Sequence, residues 1–338
     1  MNGSHLEMKS FTITCWNIQG LRSSAFGLKS RNSDFNRELK DSDIVLQETW
    51  CREDVSTGCP HGYTEIIIPS TKHPTITQGR DSGGMIIWCK SELSQSITVI
   101  KKEESYIWLK INKKIICAEQ HVYMCAIYIP PSESPYYNPD IYSILEEEIN
   151  HYKTMGNVLL CGDLNARTGE RADTMNTQGD KHLPGSTCFP LPECPTRKSF
   201  DKLTNTSGMQ LLQLCRTLGL YIVNGRLRED SLGRYTYSSA LGSSTVDYFI
   251  TDLDPMSLRA LKVNPLTPLS DHSKITIYLK RAQSNSGAPS AYELFNSTYS
   301  YRWTPDSMGA YQKALENQNI HDLTHLFLTE TFPIIILV

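Results

Sequence analysis

Val158-Leu-Leu-Cys161 is a short apolar run that breaks at Gly162 and then presents Asp163 and Asn165 two residues apart. Such a run reads as a buried strand, so a carboxylate and an amide leave its C-terminal end, where open α/β sheets place their chemistry. A Gly-Asp pair is also an ordinary turn, and the motif alone would mean little. Its weight comes from repetition along the chain. Phe11, Ile13 and Cys15 alternate with threonines in a strand pattern over Lys9 to Trp16 that ends at Asn17. Ile44-Val-Leu46 is a second buried strand and runs into Gln47-Glu48. A strand over Val122 to Ile129 carries Tyr128 near its end.

Between and after these runs the pattern alternates strands with a few helices. Ser33 to Leu39 predicts a short helix capped by Ser33 or Asp34. Residues 51–81 are loop-rich, with several prolines. Met85 to Trp88, Tyr106 to Ile111 and Ile115 to Ala118 read as strands, and the alternation of Ile107, Leu109 and Ile111 predicts a meander with one wet face. Asn138 caps and Pro139 opens a helix with the stripe Ile141, Ile144, Leu145 and Ile149, ending near Gly156. Residues 166–204 form a long polar loop, a length that compact domains reserve for function or disorder. Asn205 to Leu218 is helical by pattern and stops at Gly219. Strands follow at Leu220 to Val223, Tyr235 to Tyr237, Val246 to Ile250 and Lys274 to Leu279, the middle two joined through Gly242-Ser-Ser, with Asp271-His272 just before the last.

The domain therefore spans residues 8–280. Residues 1–7 include Gly3-Ser-His-Leu-Glu7, which has the look of a cloning scar. Residues 281–338 shift to a linker-like composition, with a weak helical pattern around Met308 to Leu315 and an apolar end, Phe332 to Val338, too short to span a bilayer. A net charge of −3 counts mildly against nucleic-acid binding without excluding a local basic patch. The ten cysteines contain no C-x-x-C pair. Cys15, Cys89, Cys117, Cys125, Cys161 and Cys215 read as small buried hydrophobes of a reducing compartment, and Cys51, Cys59, Cys188 and Cys194 are poorly spaced for zinc.

Asn17, Glu48, Tyr128, Asp163, Asn165, Asp247, Asp271 and His272 each have a bland reading as turn, loop or core residues. Together at strand ends they suit phosphate-ester hydrolysis. A hard cation takes carboxylate and carbonyl oxygens, an attacking water needs a carboxylate base, and a pentacoordinate phosphorane needs donors. No G-x-S-x-G, P-loop or G-x-G-x-x-G occurs. Single-metal hydrolysis is the chemistry this set favours.

In chain order Trp16-Asn17, Gln47-Glu48, Tyr128, Gly162-Asp163-Leu164-Asn165, Val246-Asp247-Tyr248 and Ser270-Asp271-His272-Ser273 resemble the endonuclease/exonuclease/phosphatase superfamily over residues 8 to 280. Asp163 to Gly169, Leu220 to Gly225, Gly233 to Ser238 and the spacer-like Tyr301-Arg-Trp303 resemble, within it, the apurinic-type endonuclease domain of non-LTR (LINE-type) retrotransposons of the kind abundant in fish. The resemblance implies a DNase I-like, four-layered α/β sandwich of two packed mixed sheets flanked by helices. It implies Glu48 as metal ligand, with Asn17 and Asp271 beside it, for Mg²⁺ or Mn²⁺. Asp163 would activate water, Asn165 would orient it, and His272, paired with Asp247, would contact the scissile phosphate with Tyr128. Thr236, Tyr237, Arg167 and Asn224 would contact DNA, in part through a hairpin inserted into the minor groove. No reverse transcriptase follows, so the chain reads as an excised domain or a truncated copy.

The function expected is a nick in duplex DNA that leaves a 3′-hydroxyl for target-primed reverse transcription, with element RNA and reverse transcriptase as partners in the longer protein. The protein would be made in the cytoplasm and act in the nucleus, neither secreted nor bound to a membrane. The same catalytic set would serve an abasic-site endonuclease, an RNA-tail nuclease or a phosphoinositide phosphatase, since the loops decide the substrate. A domesticated, non-catalytic nucleic-acid binder predicts decay at these positions, and none is seen.

Overall fold

The computed structural model describes residues 10–51, 57–71, 82–174 and 195–282, all within one compact unit, Met1–Gln283. Sixteen strands are described: β1 (Ser10–Asn17), β2 (Arg22–Ser23), β3 (Gly27–Leu28), β4 (Ile44–Glu48), β5 (Tyr63–Thr71), β6 (Ser82–Lys90), β7 (Ile97–Lys102) and β8 (Tyr106–Ile111), then β9 (Val122–Tyr128), β10 (Asn157–Asp163), β11 (Tyr221–Ile222), β12 (Tyr237–Ser239), β13 (Gly242–Ser244), β14 (Asp247–Thr251), β15 (Leu258–Val263) and β16 (Ile275–Lys280). Three α-helices accompany them, α1 (Ser33–Leu39), α2 (Ile141–Lys153) and α3 (Thr206–Leu218).

Two six-stranded sheets dominate, in the orders β15-β16-β1-β4-β6-β5 and β11-β14-β10-β9-β8-β7. Each contains one parallel pair, β1 with β4 and β9 with β10, bridged by a crossover that carries a helix, and its other pairings are antiparallel. Both sheets are thus mixed, as expected of a four-layered α/β sandwich. Their inner faces meet in a core of Phe11, Ile13, Met85 and Ile87 against Ile107, Leu109, Met124 and Phe249. On the outer face of the second sheet, α2 and α3 bury Leu145, Ile149, Leu211 and Cys215 over Trp108 and Tyr248. On the outer face of the first, Phe35 of α1 stacks on Trp16 at 5.5 Å between ring centroids.

Several local expectations change. The cap of α1 is Asn32, whose side chain accepts from Asp34 N and Phe35 N. Helix α2 begins at Ile141, because the Asn138 carbonyl and side chain close a turn on Ile141 N and Asp140 N. Residues 63–71 are a nine-residue strand, not loop. Strand β8 is buried on both faces, with Ile107 toward the other sheet and Trp108 toward the helices, so the meander has no wet face there. Ile115 to Ala118 makes only an isolated bridge, Ile116 to Arg281. Gly242–Ser244 is itself a strand, paired with Tyr237–Ser239, while Tyr235 and Thr236 lie outside it. Cys117 is exposed, in contrast to Cys15, Cys89, Cys125, Cys161 and Cys215. Cys188, Cys194 and the features expected beyond residue 282 lie outside the described residues.

Candidate active site

The register of the two sheets assembles the site. Asn17 is opposite Glu48 at the end of the parallel pair β1–β4. In the second sheet Asp163 is opposite both Tyr128 of β9 and Asp247 of β14. Asn17 Nδ2 then donates to Asp163 Oδ2 at 3.0 Å, joining the two sheets at their shared mouth. Gly162 is what allows Asp163 to stand there. Its φ is +150°, and a Cβ would lie 1.7 Å from the Ile127 carbonyl oxygen of β9, so only glycine lets the strands approach this closely.

Each side chain is held by further bonds. Asp163 Oδ1 accepts the Asn165 N–H at 3.0 Å, and Asn165, at φ 47°, donates Nδ2 to the Ile129 carbonyl. The Asn205 side chain, which caps α3, also accepts from Arg167 N and donates to the Asn165 carbonyl. His272 Nδ1 lies 2.9 Å from Asp247 Oδ2, and its Nε2 lies 3.9 Å from Asp163 Oδ2. Trp16 Nε1 and Ser270 Oγ fix the backbone of His272, and Ser270 Oγ also donates to the Asn17 carbonyl. Trp50 Nε1 donates to Glu48 Oε1 at 2.7 Å. A cleft of about 550 Å³ collects Asn17, Glu48, Tyr128, Asp163, Asn165, Asp271 and His272 along its walls.

The electrostatics follow from burial. Glu48 is pushed up to about 8, first by burial and then by the charge of Asp163, against hydrogen bonds from Trp50 and Tyr128 and the charge of His272. Asp163 is also raised, by burial and then by Asp247. Burial opposes the protonation of His272, but Asp247, Asp163 and Asp271 outweigh it and raise the imidazole to about 10. The site is therefore rich in buried carboxylates, and three of them favour the protonated form of its histidine.

A divalent cation fits this donor set. Asp271 Oδ1 has no hydrogen-bond partner among the described residues, Glu48 is a buried carboxylate that stays raised despite the charge of His272, and both line the cleft. Asn17 Oδ1 accepts the Gln19 N–H and keeps a second lone pair. Asp163, Asp247 and His272 also place ligand atoms within 4.8 Å of one another. His272 Nδ1 is already engaged by Asp247 at 2.9 Å, so that trio reads as the proton-holding side of the site and Glu48 as the metal side.

Two residues expected at the DNA surface are placed elsewhere. Thr236 is 0% exposed, and its hydroxyl accepts from Val246 N and Asp247 N, which positions Asp247 rather than DNA. Asn224 is buried too and pairs with the Asp247 carbonyl and Phe249 N, again holding β14. Tyr237 and Arg167 do line the cleft; Arg167 is clamped by Asp201 through Nε at 2.8 Å and Nη2 at 2.6 Å, and the Tyr237 ring lies 4.9 Å from that of His272. Gln19 and Trp50 enter the site without having been singled out, and Ser270, quoted only within its motif, proves to bond the backbones of Asn17 and His272. Trp50 and Gln19 lie just past strand ends at positive φ, a position only the folded backbone reveals.

A family model for the endonuclease/exonuclease/phosphatase family matches residues 14–272, more than half of the chain. The chain belongs to the endonuclease/exonuclease/phosphatase family. It is accordingly a metal-dependent hydrolase of phosphoesters, and Asn17, Glu48, Tyr128, Asp163, Asn165, Asp271 and His272 line one cleft, with Asp247 bonded to His272 behind them. No curated protein sequence matches it. Among solved structures, the AP endonuclease LMAP from Leishmania major superposes with a TM-score of 0.57 at 14% identity, covering 81% of this chain and 88% of that one. The catalytic domain of APE2 from Xenopus laevis gives 0.54 at 16%, over 80% and 92%. The 3′ phosphatase NExo from Neisseria, bound to a product DNA hairpin, gives 0.51 at 14%, over 80% and 99%. At such identities the likeness establishes the DNase I-like fold.

Proposed function

We propose that this family member is a Mg²⁺-dependent endonuclease that nicks duplex DNA and leaves a 3′-hydroxyl to prime reverse transcription, acting in the nucleus where its target lies. The observation that carries the reading is the pair of bonds at the sheet mouth, Asn17 to Asp163 and Asp247 to His272, beside Glu48 and Tyr128 in one cleft. The hairpin β12–β13 stands at the same cleft and holds Leu241, 100% exposed, at its turn. An apolar side chain so displayed suits a wedge in a minor groove.

In this reading Asp163, oriented by Asn17 and Asn165, takes a proton from water as its oxygen attacks phosphorus. His272, kept protonated by Asp247, donates from Nε2 to a phosphoryl oxygen and stabilises its growing charge. The bond from phosphorus to the 3′ oxygen breaks, and that oxygen takes a proton from solvent water and leaves as the hydroxyl. A bound Mg²⁺ would be held by Glu48, with Asp271 and Asn17 Oδ1 beside it, and would neutralise phosphoryl charge. The test is conversion of supercoiled plasmid to relaxed circles with Mg²⁺, with EDTA, and by Asp163→Ala, alongside an abasic-site oligonucleotide. Nicking by the parent alone, lost in EDTA and leaving ends that a polymerase extends, is the expected result. A folded parent that spares plasmid but cuts the abasic strand refutes it.

A further inference from the structure

Beside the cleft, on the far side of Tyr237, lies a second groove of about 520 Å³ lined by Phe200, Tyr235, Leu266, Arg234, Lys262 and Ser238. Phe200 and Tyr235 meet edge to face at 5.9 Å and remain 44% and 40% exposed. Two large aromatic rings left open to water on a soluble surface call for an explanation.

Their backbone is unusually fixed. The Phe200 N–H donates to the Gly233 carbonyl at 2.7 Å, and the Tyr235 hydroxyl donates to the Phe200 carbonyl at 3.0 Å. The preceding Lys198 carbonyl oxygen would sit 1.8 Å from a Cβ at Gly225 and 2.1 Å from one at Gly233. Glycines at both turns therefore let this segment lie against the loop between β11 and β12, and the rings are held out by that bonded frame. A rigid exposed aromatic pair with cationic side chains at its rim is the chemistry of a base-stacking platform.

We infer that the Phe200–Tyr235 pair stacks an unpaired base of the DNA flank that leaves the cleft past Tyr237. Continuity with the cleft supports this occupant, since Tyr237 lines both grooves. Charge supports it as well: Lys262 is exposed and has no ion-pair partner among the described residues, whereas Arg234 in the same groove is paired with Asp230 at 3.9 Å and Glu229 is the one acid among the described residues that line it. The inference rests on the proposal that the substrate is DNA.

The test is fluorescence anisotropy in EDTA with three probes, a short blunt duplex and the same duplex carrying a single-stranded oligodeoxyadenosine tail on one side or on the other. The parent should bind one tailed probe roughly tenfold more tightly than the blunt one, the worth of about one stacked base. Phe200→Ala with Tyr235→Ala should erase that preference with an unchanged circular dichroism spectrum. Lys262→Glu should weaken tailed binding while keeping part of the preference. A parent without tail preference, or a double variant that keeps it, overturns the inference, as does a dimer of the parent that the double variant dissolves. A parent that shows the preference but never nicks DNA sinks the nuclease proposal and leaves the platform standing.

Discussion

Glu48 is the residue on which the site's charge balance turns. Its carboxylate is buried, raised to about 8, and held by the indole N–H of Trp50 at 2.7 Å. A cation needs that carboxylate ionised, and the Trp50 bond favours the ionised form. Trp50→Phe keeps the ring and removes the donor, so the Mg²⁺ concentration for half-maximal nicking should rise roughly tenfold, the worth of one hydrogen bond to a charged group. A titration of nicking rate against Mg²⁺ reads this directly; an unchanged midpoint would show that the indole does nothing for the metal side. Asn17→Ala acts differently. It frees one oxygen of Asp163 without touching Glu48, so the rate should fall by about a hundredfold at saturating Mg²⁺, in the range of losing a positioned polar group. The Mg²⁺ midpoint should rise as well, because the side-chain oxygen of Asn17 beside Glu48 is lost with it.

At the scale of elements, α3 is coupled to the site through its cap. Asn205 caps Gly208 N, accepts from Arg167 N and bonds the Asn165 carbonyl. Asn205→Ala should cost about 1–2 kcal/mol in urea unfolding, as caps do, and should slow nicking because Asn165 loses its anchor. A variant that unfolds at the parent's midpoint would contradict this. The cap was readable, because Asn205 precedes a clear helical stripe closed by Gly219, which adopts φ 61° as a left-handed stop. So were β1, β4, β9, β10, β14 and β16, inner strands with apolar runs or a clear alternation. The strands missed in the two large sheets, β5, β7 and β15, are all sheet edges. β5 contains Pro69, which an edge tolerates because its missing N–H faces no partner, and the register indeed skips it between Ile68–Met85 and Ser70–Gly83. Edge strands are half wet and break pattern, so their signal is weak. The site residues at inner strand ends were legible for the same reason. The burial of Thr236 and Asn224 was not, since both serve β14 through bonds made across the fold.

At the scale of the whole molecule, the site is a fault line built into a well-packed sandwich. Two apolar inner faces meet in one core, and where they end they press Glu48, Asp163 and Asp247 together. Metal-free protein should therefore lose stability where the native carboxylates must ionise. Glu48 has a folded value near 8 against an ordinary 4.5, so the folded state binds the proton more tightly than the unfolded one. Between those values the unfolded state has released a proton that the folded state keeps, and stability falls as pH rises. In EDTA, the melting temperature should decline from about pH 4.5 toward pH 8. Glu48→Gln should flatten that decline and stabilise the metal-free protein at neutral pH while removing its activity, the usual exchange between a strained site and stability. Mg²⁺ should raise the melting temperature of the parent by mass action, and should do so far less for Glu48→Gln, since the ligand is gone. Circular dichroism melts of the two proteins, with EDTA and with Mg²⁺ across this pH range, separate the alternatives. A parent whose stability rises with pH in EDTA would mean that Glu48 is already ionised, its charge compensated by His272 across the cleft rather than awaiting a cation.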